Sequence, residues 1–416
     1  MVDFNKLRAS KVQPNITAPV EIFRRLPKPP EINDLYQSQA QVLQEWYARR
    51  NERDIVIKLH TGGGKTLVAL LIAQSILKEI REPVIYLSPT VQLVEQTLIK
   101  AGEYSIPAVS YERGQPLPEA FLSGRSVLVS TYQALFNGRS RFGLRGAVNR
   151  EQIGAGAIIL DDAHVAYAAV RNAFTLRVSK EDHEEDYTHL ASIFRNDFRE
   201  LGRVGTFDDI LSGKERGVLE VPYWSWKAKS ERISEYLRER ADEYPFEWPL
   251  VRDAFDYSHC LISDRAFVIT PMFPLVDLVP TFAECPRRIF MSATIGDDSA
   301  IVRTFDADAE SISKPISSDS LAGISERMIP IPELMPFRFD DARERIKKLG
   351  KWMVDNRKAG TVVLVPSAAA AKKWTDVATF PDTTERVAGA VKELQEGHTR
   401  GPVVFANRYD GIDLPN

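Results

Sequence analysis

Apolar residues along this chain gather in short β-branched runs separated by stretches with helical spacing. The first run, Ile55-Val56-Ile57, leads into three glycines, Gly62, Gly63 and Gly64, followed by Lys65 and Thr66. After them Leu67, Val68, Leu70, Leu71, Ile72, Ile76 and Leu77 are apolar nearly all round, which predicts a helix packed against a sheet. Further runs predict strands at 83–87, 126–130, 157–160 and 288–291, and a helix opens at 88–96. Upstream, residues 35–46 carry an amphipathic helical pattern. Downstream, Ala342, Ile346, Leu349 and Met353 predict a helix packed against a strand at 361–365, and another strand follows at 403–405. Strands of this kind, buried on both faces and alternating with helices, predict an α/β fold built on a parallel sheet.

Strand, glycine loop, Lys-Thr and buried helix form a phosphate-binding loop in its proper setting. Glycines let the backbone curl so that N–H groups of residues 61–66, Thr61 included, point at phosphates, and the helix N-terminus adds its positive end. Lys65 supplies a point charge, and the Thr66 hydroxyl suits magnesium. Leu59 stands where the general pattern has its first glycine. The strand at 157–160 ends in Asp161-Asp162-Ala163-His164. Asp161 is placed to hold magnesium through its water shell, and Asp162 to polarise the attacking water as general base. ATP and Mg2+ are therefore the expected cofactors. Thr90 and Thr131 fall at strand ends, where a hydroxyl and a helix N-terminus can hold a backbone phosphate of a nucleic-acid strand. Taken singly, each is also an ordinary helix cap.

At 416 residues the chain has room for two or three domains. Its 44% hydrophobic and 27% charged content is ordinary for globular protein, and a net charge of −3 excludes a generally basic coat while leaving room for a local basic groove. Two cysteines, Cys260 and Cys285, cannot build a disulfide scaffold or a cysteine-rich metal site, which fits a reducing cytoplasm. No apolar run reaches the ~18 residues a membrane span needs, so no membrane partner is expected.

The motifs together resemble those of superfamily-2 helicases. HTGGGKT at 60–66 is similar to motif I, SPTVQLVEQ from Ser88 to motif Ia, STYQAL from Ser130 to the next strand-contact motif, DDAH to motif II, and Met291-Ser-Ala-Thr-Ile295 to motif III. Val362 to Ser367 resembles motif IV, and Asn407 to Pro415 resembles motif V in a form closer to the XPD and DinG helicases. The resemblance implies two RecA-like domains that close on ATP, with Gly411 and Asp413 brought toward the ribose and phosphates. Gln39, with Val42 and Leu43 after it, fits the glutamine that reads the adenine edge; a glutamine on a surface helix is the alternative. Ser292 and Thr294 would couple the ATP and nucleic-acid sites, and His164 could join them or simply start a helix.

Three departures accompany the resemblance. Asp162 replaces the usual Glu of motif II, and its shorter side chain is expected to slow turnover. Two cysteines cannot hold the iron–sulfur cluster of XPD and DinG, so no cluster is expected. The sequence stops at Asn416, after motif V and before the arginine-bearing motif VI, so this stretch is read as a truncated and poorly active piece of the motor.

The domain reading is an N-terminal arm at 1–34, a RecA-like ATP-binding domain at 35–164 and 263–311, a mostly helical insertion at 165–262, a linker at 312–330, and an incomplete second RecA-like domain at 331–416. In the insertion, Lys180 to Asp186 reads as a solvated acidic loop and Ser230 to Tyr244 as a helix. Tyr223, Trp224, Trp226, Phe246 and Trp248 form either its core or a base-stacking surface. The function expected is an ATP-dependent helicase or translocase acting on single-stranded DNA, with RNA open. A regulatory module that binds ATP or DNA without turnover, and another phosphate-loop enzyme such as a kinase, are the alternatives.

Overall fold

The structure, a computed structural model, describes residues 15–318 apart from Glu31, Thr61, Arg113, 148–150 and 294–298, and beyond them residues 329, 331, 334 and 339–407. The chain divides into two compact units between Ile324 and Ser325. In chain order the strands of the first unit are β1 (Asp54–Lys58), β2 (Val84–Ser88), β3 (Ala108–Ser110), β4 (Val127–Thr131), β5 (Ala157–Leu160), β6 (Leu176–Ser179), β7 (Val218–Glu220), β8 (Ser258–Ser263), β9 (Ala266–Pro271), β10 (Arg288–Ser292) and β11 (Ile316–Ser317). Seven of them form one sheet in the order β11-β1-β10-β5-β2-β4-β3. All its pairings are parallel. The fold is α/β, a RecA-like parallel sheet carrying the glycine loop.

Strand alternation assigns the two faces. Ile55, Ile57, Val84, Tyr86, Val127, Val129, Ile159, Ile289 and Met291 pack on one side beneath the helices Gln37–Arg49 and Lys65–Ile80. Val56, Ile85, Leu87, Leu128, Ile158, Leu160 and Phe290 pack on the other, against the helix Ala163–Ala173 through Ala166 and Val170. Fully buried apolar strands of this kind drive the fold by removing both faces from water. Part of the N-terminal arm also folds: Pro19–Arg25 is a helix whose Ile22 and Phe23 are buried in the first of these cores.

Register between β1 and β10 pairs Asp54 with Arg288 at the start and Lys58 with Ser292 at the end. Asp54 and Arg288 are both sealed from solvent and meet as a two-pronged fork, Nε to Oδ1 at 2.6 Å and Nη2 to Oδ2 at 2.8 Å. Arg288 also donates to the carbonyls of Phe305 and Asp306, while the Asp308 amide donates to Asp54. Every polar atom of the pair is thereby used, which burial of charge demands.

The insertion is rich in helices but is organised around a sheet that the sequence reading did not identify. Its centre is a four-stranded antiparallel sheet, β6-β9-β8-β7, and β8 and β9 are a hairpin joined at Asp264 and Arg265. Alternation in β8 and β9 sends Cys260, Ile262, Phe267 and Ile269 into one core with Trp226, Trp248, Phe194 and Phe255. The inserted strands therefore run from Leu176 to Pro271, whereas Ala163–Ala173 packs with the first domain. The helix expected at 230–244 spans Tyr223–Arg238. Of the five aromatics, Trp226 and Trp248 are core, while Tyr223 and Trp224 are exposed. The acidic run is not all solvated loop: Glu184–Ser192 is a helix, and its Asp186 is buried, accepting from the Tyr236 and Tyr244 hydroxyls and pairing with Arg240.

In the second unit, β12 (Val362–Val365) and β13 (Val403–Ala406) pair in parallel. The preceding helix, Phe339–Arg357, leaves Ile346 and Leu349 exposed, contrary to the packing its apolar spacing suggests. Its close approach is at Gly350, where an added Cβ would lie 3.4 Å from the Thr361 methyl carbon. The small core is instead closed by Ala371, Trp374 and Phe380 over Val365 and Val404.

Replacing Arg288 by Met is expected to strand the Asp54 carboxylate in the interior and lower the unfolding free energy by about 3–5 kcal/mol. Urea denaturation measures this; a loss below about 1 kcal/mol, the range of an exposed pair, would contradict it.

Candidate functional site

At the end of β1 the chain leaves the sheet through the glycine loop. Gly62 and Gly64 hold left-handed backbones, with φ of 85° and 71°, and Gly64 is the N-cap from which the helix Lys65–Ile80 starts. Glycine is needed at both because a Cβ raises the energy of that conformation. Gln39 reaches this loop from the helix Gln37–Arg49. It is buried, its side-chain amide donates to the Gly63 carbonyl at 3.0 Å, and its oxygen accepts from the Tyr36 amide at 3.1 Å. A Cβ on Gly64 would fall 2.3 Å from the Gln39 amide nitrogen, so glutamine and glycine share one space. Gln39 is thus a fixed strut of the loop and not a surface residue.

Lys65 extends from the first turn of that helix to the Asp162 carboxylate, an ion pair in which both side chains keep some exposure. Asp161 directly follows β5 and lies deep: its carboxylate accepts from the Tyr86 hydroxyl at 2.7 Å, its carbonyl accepts from the Tyr132 hydroxyl at 2.6 Å, and its amide donates to the Leu87 carbonyl at 2.9 Å. Burial, joined by the charge of Asp162 next door, pushes the Asp161 carboxyl up from 3.8 to about 6, against the pull of Tyr86 and Lys65. Asp162 itself sits in the left-handed region, with φ of 47° and ψ of 53°, at the N-cap position of the helix Ala163–Ala173, where its side chain makes no capping bond. Aspartate is among the few residues besides glycine that tolerate this backbone.

From the same turn His164 Nδ1 lies 3.2 Å from the Ser292 hydroxyl at the end of β10, and the Leu59 amide donates to the Ser292 carbonyl at 3.0 Å. Glycine loop, Asp161–Asp162 and Ser292 therefore occupy neighbouring C-terminal strand ends, where ligands of open parallel sheets bind. Thr66 stands beside Lys65 in the same helical turn.

Thr90 and Thr131 lie further along this edge. Thr90 caps the helix Val91–Glu103 by accepting from the Leu93 amide at 3.2 Å, whereas the Thr131 hydroxyl makes no capping bond. Beside Thr131 opens a cleft of about 1260 Å³ whose lining includes Val91, Gln133, Arg139, Arg141 and Phe246. Thr61, Thr294, Gly411 and Asp413 lie outside the described residues. Tyr86 and Tyr132, which hold Asp161, escaped the sequence reading, since within an apolar run an aromatic reads simply as core.

Two outcomes are expected. Gly64→Ala should displace Gln39 and strain the loop by about 1–2 kcal/mol, weakening nucleotide binding as measured by titration of a fluorescent analogue; unchanged affinity would contradict the strut. Because the folded carboxyl of Asp161 titrates near 6 and the unfolded one near 3.8, the native state holds the extra proton between these values. Metal-free protein should therefore lose stability relative to Asp161→Asn as pH rises through that window. Denaturation of both proteins across the window checks the sign.

Residues 32–199 match the family model described as Type III restriction enzyme, res subunit. No curated protein sequence matches the chain. Among solved structures it is similar to S. tokodaii Xpd4, at 13% identity and a TM-score of 0.49 over 88% of this chain and 80% of that one. It is also similar to the Mycobacterium smegmatis helicase Lhr bound to ssDNA and AMP-PNP, at 16% identity and 0.44 over 91% and 41%. An apo XPD structure aligns at 14% identity and 0.45 over 91% and 80%. The matched segment holds Gln39, the glycine loop and the Asp161–Asp162 turn.

Proposed function

We propose that this chain is an ATP-dependent nucleic-acid translocase or helicase core that binds magnesium-ATP at the Lys65–Asp161–Asp162 edge and a single strand along Thr90 and Thr131. The observation that carries the reading is the meeting of Lys65, from the end of β1, with Asp162, from the end of β5, two strands apart in the sheet. The donor set fits the ligand: a lysine, left-handed glycines and a helix N-terminus for phosphates, and carboxylate and hydroxyl oxygens of the hard kind magnesium takes. Thr66 and Asp161 would hold the metal, which when bound neutralises charge on the phosphates.

The chain's own residues divide the remaining work. Lys65 exchanges the Asp162 carboxylate for phosphate oxygens, which frees Asp162 to accept a proton from water at its carboxylate. Gln39 keeps the loop in its binding shape through Gly63. The His164–Ser292 contact links the Asp161–Asp162 turn to β10. The cleft beside Thr131, with Arg139 and Phe246, supports a strand path on this edge, and single-stranded DNA is the substrate proposed, with RNA as the alternative. A second reading, a module that grips nucleotide with little turnover, is favoured by one observation: the short Asp162 side chain is already committed to Lys65.

Nucleotide binding and phosphate release should be measured with magnesium, with and without single-stranded DNA or RNA. The wild-type chain should bind ATP, and Lys65→Ala should weaken binding by about tenfold or more, the range for losing a charged contact to phosphate. Strand-stimulated release supports the motor, binding without release supports the second reading, and a wild type that ignores ATP overturns both.

A further inference from the structure

Two fully buried tyrosines converge on Asp161, one from a strand and one from the turn that ends the neighbouring strand. Tyr86 lies within β2, and Tyr132 directly follows β4. One hydroxyl holds the Asp161 carboxylate and the other its carbonyl, while the Leu87 carbonyl of β2 holds its amide. Two of the bonds come from β2 and the third from the residue that follows β4, the strand paired with it; Thr90 stands just past the end of β2 and Thr131 ends β4. Thr97, on the helix packed against β2, lies near the Tyr86 hydroxyl. Thr97 is buried in the helix Val91–Glu103 that Thr90 caps, and its own hydroxyl donates to the Leu93 carbonyl at 2.8 Å.

Phenylalanine would fill the same space at either position without bringing a buried hydroxyl that needs a partner. What tyrosine adds is direction. A phenol oxygen cannot move without its ring, and a ring packed in a dense core moves only with its strand. Displacement of the helix behind Thr90, or of the turn behind Thr131, therefore reaches Asp161 through rigid groups.

We propose that Tyr86 and Tyr132 are positioning residues that transmit occupancy of the strand path at Thr90 and Thr131 to the Asp161 carboxylate. The proposal rests on the function given above, since it needs a strand at those threonines. It assigns the coupling to the interior of the sheet, beside the contact between His164 and Ser292.

The test is a coupling factor: the affinity of the full chain for a fluorescent ATP analogue with magnesium, measured with and without a saturating single-stranded oligodeoxynucleotide. In the wild type the two affinities should differ by about fivefold or more, the usual range for linked sites. Tyr86→Phe, which removes a bond to a carboxylate, should reduce that factor by about tenfold or to unity, and Tyr132→Phe by roughly threefold. Thr97→Val, which alters the helix beside Tyr86 without touching Asp161, should reduce the factor while leaving nucleotide affinity without the oligonucleotide unchanged, a split that a purely structural role does not produce. Variants that melt earlier but keep the wild-type factor overturn the proposal and leave the function standing. So does a wild type that binds both ligands with no coupling. A wild type that binds no oligonucleotide overturns the strand path itself, and the relay with it.

Discussion

The buried fork between Asp54 and Arg288 sits at the opposite end of the sheet from everything chemical, and the placement of the site depends on it. It joins the first residues of β1 and β10, so each later residue of one strand is matched to a fixed residue of the other. Four positions on, the match delivers Lys58 beside Ser292, and from there the loop at Gly62 to Gly64 turns over the sheet edge. A one-residue slip would break the fork and turn the apolar faces of β1 over together. Desolvated charges are a costly way to join two strands, yet a misregistered pair would leave both uncompensated, so the fork discriminates between registers more than it stabilises one.

At the working edge the electrostatic problem is reversed. Two adjacent carboxylates, one of them deeply buried, repel each other, and only Lys65 faces them with opposite charge among the groups that set the Asp161 titration. Such a cluster is poorly satisfied alone and improves with a cation. Rigid surroundings keep it from relaxing: Asp161 is tied at amide, carbonyl and carboxylate, and Gln39 pins the loop opposite. The arrangement is pre-organised for ligand in the sense that its reorganisation has been completed by folding.

Much of this edge was legible in the sequence because its signals are local. Three glycines before Lys-Thr, and two aspartates after an apolar strand, need only their neighbours to be understood. Continuous apolar runs likewise marked β1, β2, β4, β5 and β10. What escaped depends on long-range pairing. The roles of Tyr86 and Tyr132 follow from the order β5-β2-β4, which places both near Asp161, and nothing within the runs of 83–87 or 126–132 reveals that order. The inserted sheet was overlooked for a different reason. Its signal was local, with alternation at 258–263 and a short Asp-Arg link before the next apolar run, but the helical pattern at 230–244 and the likeness to mostly helical insertions drew the reading away from it. Asp186 was hidden inside a run whose other acidic members do face water, and the partners that mark it as interior, Tyr236, Arg240 and Tyr244, arrive from about fifty residues away or more.

The left-handed backbone at Asp162 also bears on how a departure from the usual motif should be understood. Side chain and main chain there form a single unit: the shorter acid is one of the few that accept this conformation, and the conformation aims it at Lys65. Exchanging it for the commoner glutamate would lengthen the arm by one carbon and load the turn with about 1–2 kcal/mol of torsional strain at once. A change to glutamate at this position would therefore be a lesion in this molecule.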